Sequence, residues 1–247
     1  MPQRTATAAI IGAGDYIGSA IAKKFAAEGY TVFAGRRTAD KLATLKTEIE
    51  SAGGVCETRA LDARKEEDVA AFLNEADARA PLEVCVFNVG ANVNFPILET
   101  TERVFRKVWE MACYGGFLTG REAARLMIAR GQGSILFTGA TASMRGGKGY
   151  AAFASAKFGL RAVAQSMARE LGPQNIHVAH LIIDSGVDTA FVRERIKARG
   201  GEAAVDAIEP DQLMHPDSIA DAYWYLHTQK RDAWTFELDV RPYKETW

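Results

Sequence analysis

Short runs of consecutive apolar residues alternate with longer stretches in which apolar residues recur every three or four positions, from one end of the chain to the other. Residues 8–11 are apolar and stop at Gly12. Across 16–28, Ile17, Ala20, Ile21 and Phe25 fall on one helical face, and Gly29 follows where a glycine C-cap is expected. The rhythm repeats with a strand at 31–34 and a helix at 39–52 that turns Leu42, Leu45 and Ile49 inward. A strand at 55–61 and a helix at 65–79 come next. Further strands are predicted at 84–87, 135–137 and 178–183, with long helical stretches at 101–130 and 149–171 between them. A helix at 217–228 and a last strand at 235–240 complete the series.

Strict alternation of β and α implies parallel strands, because a parallel pair needs a crossover and a helix is the usual one. The strands read as continuous apolar runs, as expected in sheets covered on both faces. The expected fold class is therefore α/β: a Rossmann-type, doubly wound parallel sheet of about seven strands with helices on both faces. No linker, low-complexity tract or repeat interrupts residues 1–247, which read as a single domain. Residues 187–212 break the rhythm. They carry Arg193, Glu194, Arg195, Lys197 and Arg199 and follow a strand C-terminus, where ligands bind in such sheets. They are read as a flap over the substrate, with a plain surface helix as the alternative.

Composition narrows the class. Hydrophobic residues at 48% and charged residues at 25% are ordinary for a soluble domain. A net charge of −1 and a pI near 6.5 provide no concentrated basic face for nucleic acid or a membrane. Cys56, Cys85 and Cys113 are odd in number and widely spaced, so neither a metal site nor a disulfide framework is expected. Cys85 lies in an apolar strand and reads as a buried thiol, and a reducing cytoplasm fits this cysteine usage. The first residues lack a long apolar segment ahead of a cleavage site, and no stretch approaches ~20 apolar residues. Neither a signal peptide nor a membrane span is expected.

The chemistry begins at Gly12-Ala13-Gly14-Asp15-Tyr16-Ile17-Gly18, between the first strand and the first helix. Glycines there let the backbone approach a pyrophosphate, and the helix N-terminus offers N–H donors and partial positive charge. Gly12, Gly14, Tyr16, Ile17 and Gly18 are therefore candidate dinucleotide contacts. The second strand ends in Gly35-Arg36-Arg37, where an NAD-binding protein usually places an acidic residue for the ribose 2′-OH. Guanidinium groups at Arg36 and Arg37 suit a 2′-phosphate instead, which favours NADP over NAD. Asp15 is the counterweight, since a carboxylate in the glycine loop repels a nearby phosphate.

Further stretches point the same way: Asp62 and Ala63 after the third strand, Asn88-Val89-Gly90 after the fourth, Ala154-Ser155-Ala156-Lys157 in a long helix, and Val187-Asp188-Thr189 after the sixth strand. Together with the glycine loop they resemble the short-chain dehydrogenase/reductase family over nearly the whole chain. The loop resembles its G-x-x-x-G-x-G pattern with Tyr16 at the middle glycine, and Asp184-Ser185 replaces its Pro-Gly. The resemblance implies hydride transfer between a nicotinamide and a small-molecule carbonyl or alcohol. It implies cofactor contacts at Asp62, Ala63, Asn88, Gly90, Lys157, Val187 and Thr189. It also implies a proton-handling tyrosine four residues before a lysine on one helical face. That lysine lowers the tyrosine pKa and holds the nicotinamide ribose. A serine thirteen residues before the tyrosine and an asparagine in the preceding helix complete the family site.

Lys157 matches the lysine, but the tyrosine position is Phe153, the serine position Ala140 and the asparagine position Ala112. Phenylalanine carries no proton and alanine donates no hydrogen bond. Tyr150 as a surrogate acid lies roughly 10 Å from Lys157 along the helix axis. Thr138, Thr141 and Ser143 flank Ala140 as possible donors, and Cys113 beside Ala112 reads as a packed thiol, with a nucleophile as the alternative. Asp184 is read as a cap of the following turn, with a catalytic base or substrate anchor as the alternative. The expectation is an NADP-binding oxidoreductase with a divergent site whose catalytic residue is Lys157. The alternative is a non-catalytic nucleotide-binding protein with a sensing or assembly role. Lyases on this fold, such as halohydrin dehalogenases, keep the serine and tyrosine and abandon the dinucleotide site, the reverse of this chain. The helices at 101–130 and 149–171 resemble the family's subunit-associating pair, and their apolar content (Val104, Val108, Phe117; Phe158, Leu160, Val163) suggests a homo-oligomer, a tetramer or dimer.

Overall fold

The computed structural model describes residues 3–246. Seven strands, β1 (Thr7–Ile11), β2 (Thr31–Arg36), β3 (Val55–Ala60), β4 (Leu82–Phe87), β5 (Gly133–Thr138), β6 (Ile176–Ile183) and β7 (Glu237–Val240), form one sheet in the order β3-β2-β1-β4-β5-β6-β7. Every neighbouring pair is parallel. The chain winds outward from β1 to β3, returns to the middle, and winds the other way from β4 to β7. The order therefore reverses between β1 and β4, where a crevice opens beyond the carboxyl ends of the strands.

Two cores cover the two faces, and the strand period of two assigns residues to them. Ala8, Ile10, Val32, Ala34, Val84 and Val86 face one core, which α1 (Ile17–Ala27), α2 (Ala43–Ser51) and α8 (Pro216–Thr228) close with Phe25, Ile49 and Tyr223. Ala9, Ile11, Phe33, Cys85, Phe87 and Phe137 face the other, beneath α3 (Glu66–Arg79), α5 (Gly115–Ile128) and α6 (Ala151–Leu171). Each fully buried large side chain here contributes about 1.5–3 kcal/mol of transfer free energy. The cysteines are free and buried. Among the described residues no helix is long and apolar enough to cross a membrane.

Two segments differ from the sequence pattern. The helix expected over 101–130 is broken into α4 (Glu102–Trp109), a π-turn at Glu110–Tyr114 and α5. The wider turn carries Ala112 and Cys113 into an apolar cluster with Phe153, Ala154 and Ala156 of α6. Apolar periodicity counts residues and does not register one extra residue in a turn. The segment 187–212 holds α7 (Ala190–Asp206), interrupted at Gly201, whose φ of 75° no helix interior adopts.

Candidate functional site

The glycine loop leaves β1 at Gly12, where φ is +90° and a Cβ would lie 2.6 Å from the Asn88 carbonyl oxygen. At Gly18, a Cβ would fall 2.3 Å from the Gly12 carbonyl oxygen, so α1 starts tight against the loop. Gly14 has nothing within 4 Å of a built Cβ and opens onto the crevice. Asn88 at the end of β4 fixes this geometry. Its Nδ2 donates to the Gly12 carbonyl at 3.0 Å, and its Oδ1 accepts from Thr138 Oγ1 at 3.0 Å. The Tyr223 hydroxyl reaches Thr138 Oγ1 at 2.5 Å, which carries the support into the core. The wall of the crevice is therefore tied across β1, β4, β5 and α8 by hydrogen bonds.

Two clefts meet along Gly12, Gly14 and 88–90. The smaller, on the β2 side, has a volume of about 280 Å³ and brings Arg36, Arg37, Asp62, Ala63 and Gly90 together. It also gathers Thr38, Lys41 and Arg64, which the sequence reading missed. Lys41 follows Arg36 by five residues on a 3₁₀ turn over Ala39–Leu42, so the cationic run was visible but its folding back was not. Asp62 accepts hydrogen bonds from Arg64, with Nη2 at 2.5 Å and Nε at 2.9 Å from its two oxygens. Those bonds hold its carboxyl below the ordinary range against the opposing effect of burial. Arg36 donates to Asp15 Oδ1 at 2.6 Å.

The larger cleft, of about 900 Å³, is lined by Tyr16, Ile17, Gly18, Tyr150, Phe153, Lys157 and Thr189. Lys157 is buried at its floor, where Nζ donates to the Thr138 carbonyl at 2.7 Å and reaches the Val89 carbonyl at 3.4 Å. Burial pushes the ammonium down to about 8, because no carboxylate compensates its lost hydration. The Phe153 ring centroid lies 5.9 Å from Nζ. Ala112, Ala140 and Phe153 pack into one apolar cluster, so three positions apart in sequence form one proton-inert surface.

The other candidates divide. Thr189 caps α7, its Oγ1 accepting from Val192 N at 3.1 Å. Tyr16 accepts from Ala190 N at 3.1 Å, linking the glycine loop to α7. Val187 is buried behind the wall, bridged to Met214, and lines neither cleft. Tyr150 accepts from Arg195 Nη2 at 2.8 Å, which joins the start of α6 to α7. Ser143 is buried, taking the Ala140 N–H at 3.1 Å and facing His180 Nε2 at 3.4 Å, while Thr141 lines the larger cleft. The cap reading of Asp184 is corrected. Its N–H extends the sheet ladder to Val240, and its buried carboxylate accepts from Arg145 at 3.2 and 3.3 Å, with Arg241 Nη2 3.4 Å away. Buried charge demands such partners, and the sequence has no local signal for them. Arg145, Phe191, Arg199 and Glu245 join the cleft wall only through the fold.

Comparison with known proteins follows the same lines. Residues 6–200 match the family model described as short chain dehydrogenase. A short-chain dehydrogenase structure from Rhodopseudomonas palustris is 64% identical, covers 97% of this chain and 100% of its own, and superposes with a TM-score of 0.84. A metagenomic short-chain oxidoreductase in complex with NADP is 26% identical, with 97% and 98% coverage and a TM-score of 0.82. The uncharacterized oxidoreductase YuxG of Bacillus subtilis is 30% identical over 245 residues, 92% of this chain, and this chain spans 35% of that protein's length. With a family model matched over most of its length on the seven-stranded parallel sheet, the chain belongs to the short chain dehydrogenase family.

Proposed function

We propose that this protein is an NADP-dependent oxidoreductase acting on a small-molecule carbonyl or alcohol, with a divergent active site. The observation that carries the reading is the continuous crevice at the sheet's reversal point, cationic at its β2 end and floored at the other by a buried lysine. Arg36, Arg37, Lys41 and Arg64 converge on the smaller cleft against a single carboxylate in its wall, Asp62, which Arg64 already pairs. Such a donor set fits a dianionic 2′-phosphate better than a neutral ribose diol. Gly14, open to the crevice, fits the pyrophosphate, and Gly12 and Gly18 keep the loop low enough to admit it. The bound cofactor would supply or accept the hydride at its nicotinamide.

The chain's own residues then have defined tasks. Tyr16, Ile17, Asn88, Gly90 and Thr189 frame the dinucleotide. Lys157 would hold the nicotinamide ribose and, among the described residues, is the only lysine in the wall of the larger cleft. With Phe153 and Ala140 unable to handle a proton, Lys157 is the group available at the cleft floor to hold one near neutral pH. Residues 187–212 act as a flap carried on one domain, tethered by the Tyr16–Ala190 and Tyr150–Arg195 hydrogen bonds. Phe105, Trp109, Phe117 and Phe158 are exposed on α4, the π-turn's flank, α5 and α6, which supports a homo-oligomer built on those helices. Three buried free thiols support a reducing, cytoplasmic setting.

Titration with NADPH and NADH beside a turnover screen of carbonyls tests this reading. The expected result is tighter NADPH binding and measurable NADPH consumption. Equal affinities would refute the NADP preference. Tight binding without turnover across the panel would transfer the chain to the non-catalytic alternative.

A further inference from the structure

Arg36 is the best placed of the four cations for a 2′-phosphate, since it ends β2 at the cleft, and it already holds an anion. Its Nη1 donates to Asp15 Oδ1 at 2.6 Å and reaches the Lys41 carbonyl at 3.5 Å. The two partners belong to different clefts: Arg36 lines the smaller, and Asp15 lines the larger. The ion pair therefore crosses from one to the other beside Gly14, which lies in both walls. The clefts meet along Gly12, Gly14 and 88–90, and the ion pair spans the Gly14 edge of that junction. The pair is also asymmetric. The Arg36 side chain is 21% exposed and the Asp15 side chain 68% exposed. Asp15 returns to water at little cost, whereas Arg36, whose side chain is mostly covered, gains more from an anionic partner at the cleft.

We propose that Asp15 is an internal competitor for the 2′-phosphate, so that it sets how strongly the site favours NADP over NAD. This inference rests on the NADP reading above. In the free protein the carboxylate occupies the guanidinium. A phosphate monoester, with nearly twice the charge and more acceptor oxygens, displaces it and takes both arms of the fork. An unphosphorylated ribose offers no such exchange, and the Asp15–Arg36 pair stays closed above it. Asp15 thus lowers affinity for the phosphorylated cofactor alone. An isolated glycine-loop carboxylate would act differently, repelling every phosphate equally.

The test uses adenosine 2′,5′-bisphosphate and 5′-AMP, which share a 5′-phosphate and differ only at the 2′ position. Calorimetric titrations would compare the unmodified protein, Asp15→Asn, Arg36→Gln and the double variant. Asp15→Asn should tighten the bisphosphate about fivefold, the scale of a released surface ion pair, and leave AMP within about twofold. Arg36→Gln should weaken the bisphosphate about tenfold or more. In that background Asp15→Asn should no longer matter, because the contested group is gone. If Arg36→Gln weakens the bisphosphate but Asp15→Asn leaves it unchanged, the competitor role is overturned while the NADP reading stands. Equal tightening of both ligands by Asp15→Asn would also overturn it, assigning Asp15 to simple repulsion of the 5′-phosphate. No effect of Arg36→Gln on either ligand would overturn the NADP reading itself, and the competitor role with it.

Discussion

Stability should fall between pH 6.5 and about 4 as buried imidazoles take up protons, and the share that belongs to His180 can be isolated. His180 lies on β6 with no exposure, its Nδ1 3.2 Å from Glu237 Oε2 and its Nε2 3.4 Å from Ser143 Oγ. Ser143 in turn accepts the Ala140 N–H, so the neutral ring accepts at Nε2 and donates at Nδ1. Burial pushes its pKa from 6.5 to about 4, outweighing the attraction of Glu237. The sign follows from linkage. In the unfolded chain the imidazole takes a proton near 6.5, and in the folded chain it refuses one until about 4. The stabilisation is complete above 6.5 and is lost as pH falls through the window. At about 1.4 kcal/mol per pH unit, crossing the whole window costs about 3 kcal/mol, and the step from pH 7 to pH 5 about 2 kcal/mol. Glu237 does not blur this, because its carboxyl is held below 4.5 by Arg161 and His180 although burial acts to raise it. Urea unfolding at pH 7, 6 and 5 would compare the unmodified protein with His180→Gln, which retains a polar side chain but does not titrate. The unmodified protein should lose about 2 kcal/mol more than the variant over that range. His177 and His227 remain in both proteins and cancel. Parallel stability profiles would refute the reasoning and show that His180 is protonated without penalty.

Further outcomes follow from the site. Gly18→Ala forces a methyl to 2.3 Å from the Gly12 carbonyl oxygen and should destabilise the protein by about 1–3 kcal/mol, with NADPH affinity falling in the same titration that reports the wild type. Thermal unfolding and cofactor titration unchanged by this substitution would show that the loop relaxes freely. Phe153→Tyr with Ala140→Ser should raise NADPH-dependent reduction of an activated carbonyl at least about tenfold, beyond the product of the single effects, because residues acting as a unit are not additive. If the parent is already fast and Phe153→Tyr slows it, the chain uses other chemistry.

The fold was legible because parallel strands buried on both faces must be apolar throughout, and their crossovers must be helical. The inner strands follow from that pairing of periods, the edge strands β3 and β7 carry charged residues and were placed by the βα alternation, and the observed order confirms the doubly wound class. The π-turn at Glu110–Tyr114 was not legible, since its cause is tertiary: it lodges Ala112 and Cys113 against α6. Contacts fixed by backbone geometry were readable, as at Gly12 and Gly18, where only the absence of a side chain permits the approach. Contacts between distant side chains were not. Asp184 meets Arg145 and Arg241 from separate parts of the chain, and nothing local to Asp184 distinguishes that pairing from a turn cap.

The same distinction bears on the catalytic question. Residue by residue, Phe153, Ala140 and Ala112 read as three separate departures from the family pattern. In space they are one apolar surface, continuous with Val108, Cys113 and Ala156, set against a lysine with no carboxylate beside it. Lost function on an otherwise idle site would leave no reason to keep a buried ammonium, whose desolvation is costly without compensation. Lys157 nonetheless retains two backbone carbonyl partners, and Asn88 retains the bridge that holds the glycine loop to β5. The polar, hydrogen-bonded parts of the site are those proposed to hold a dinucleotide, and the apolar parts are those that would meet the substrate oxygen. That division favours the proposed cofactor site serving a substrate whose proton is managed differently, with Lys157 the group on which that difference turns.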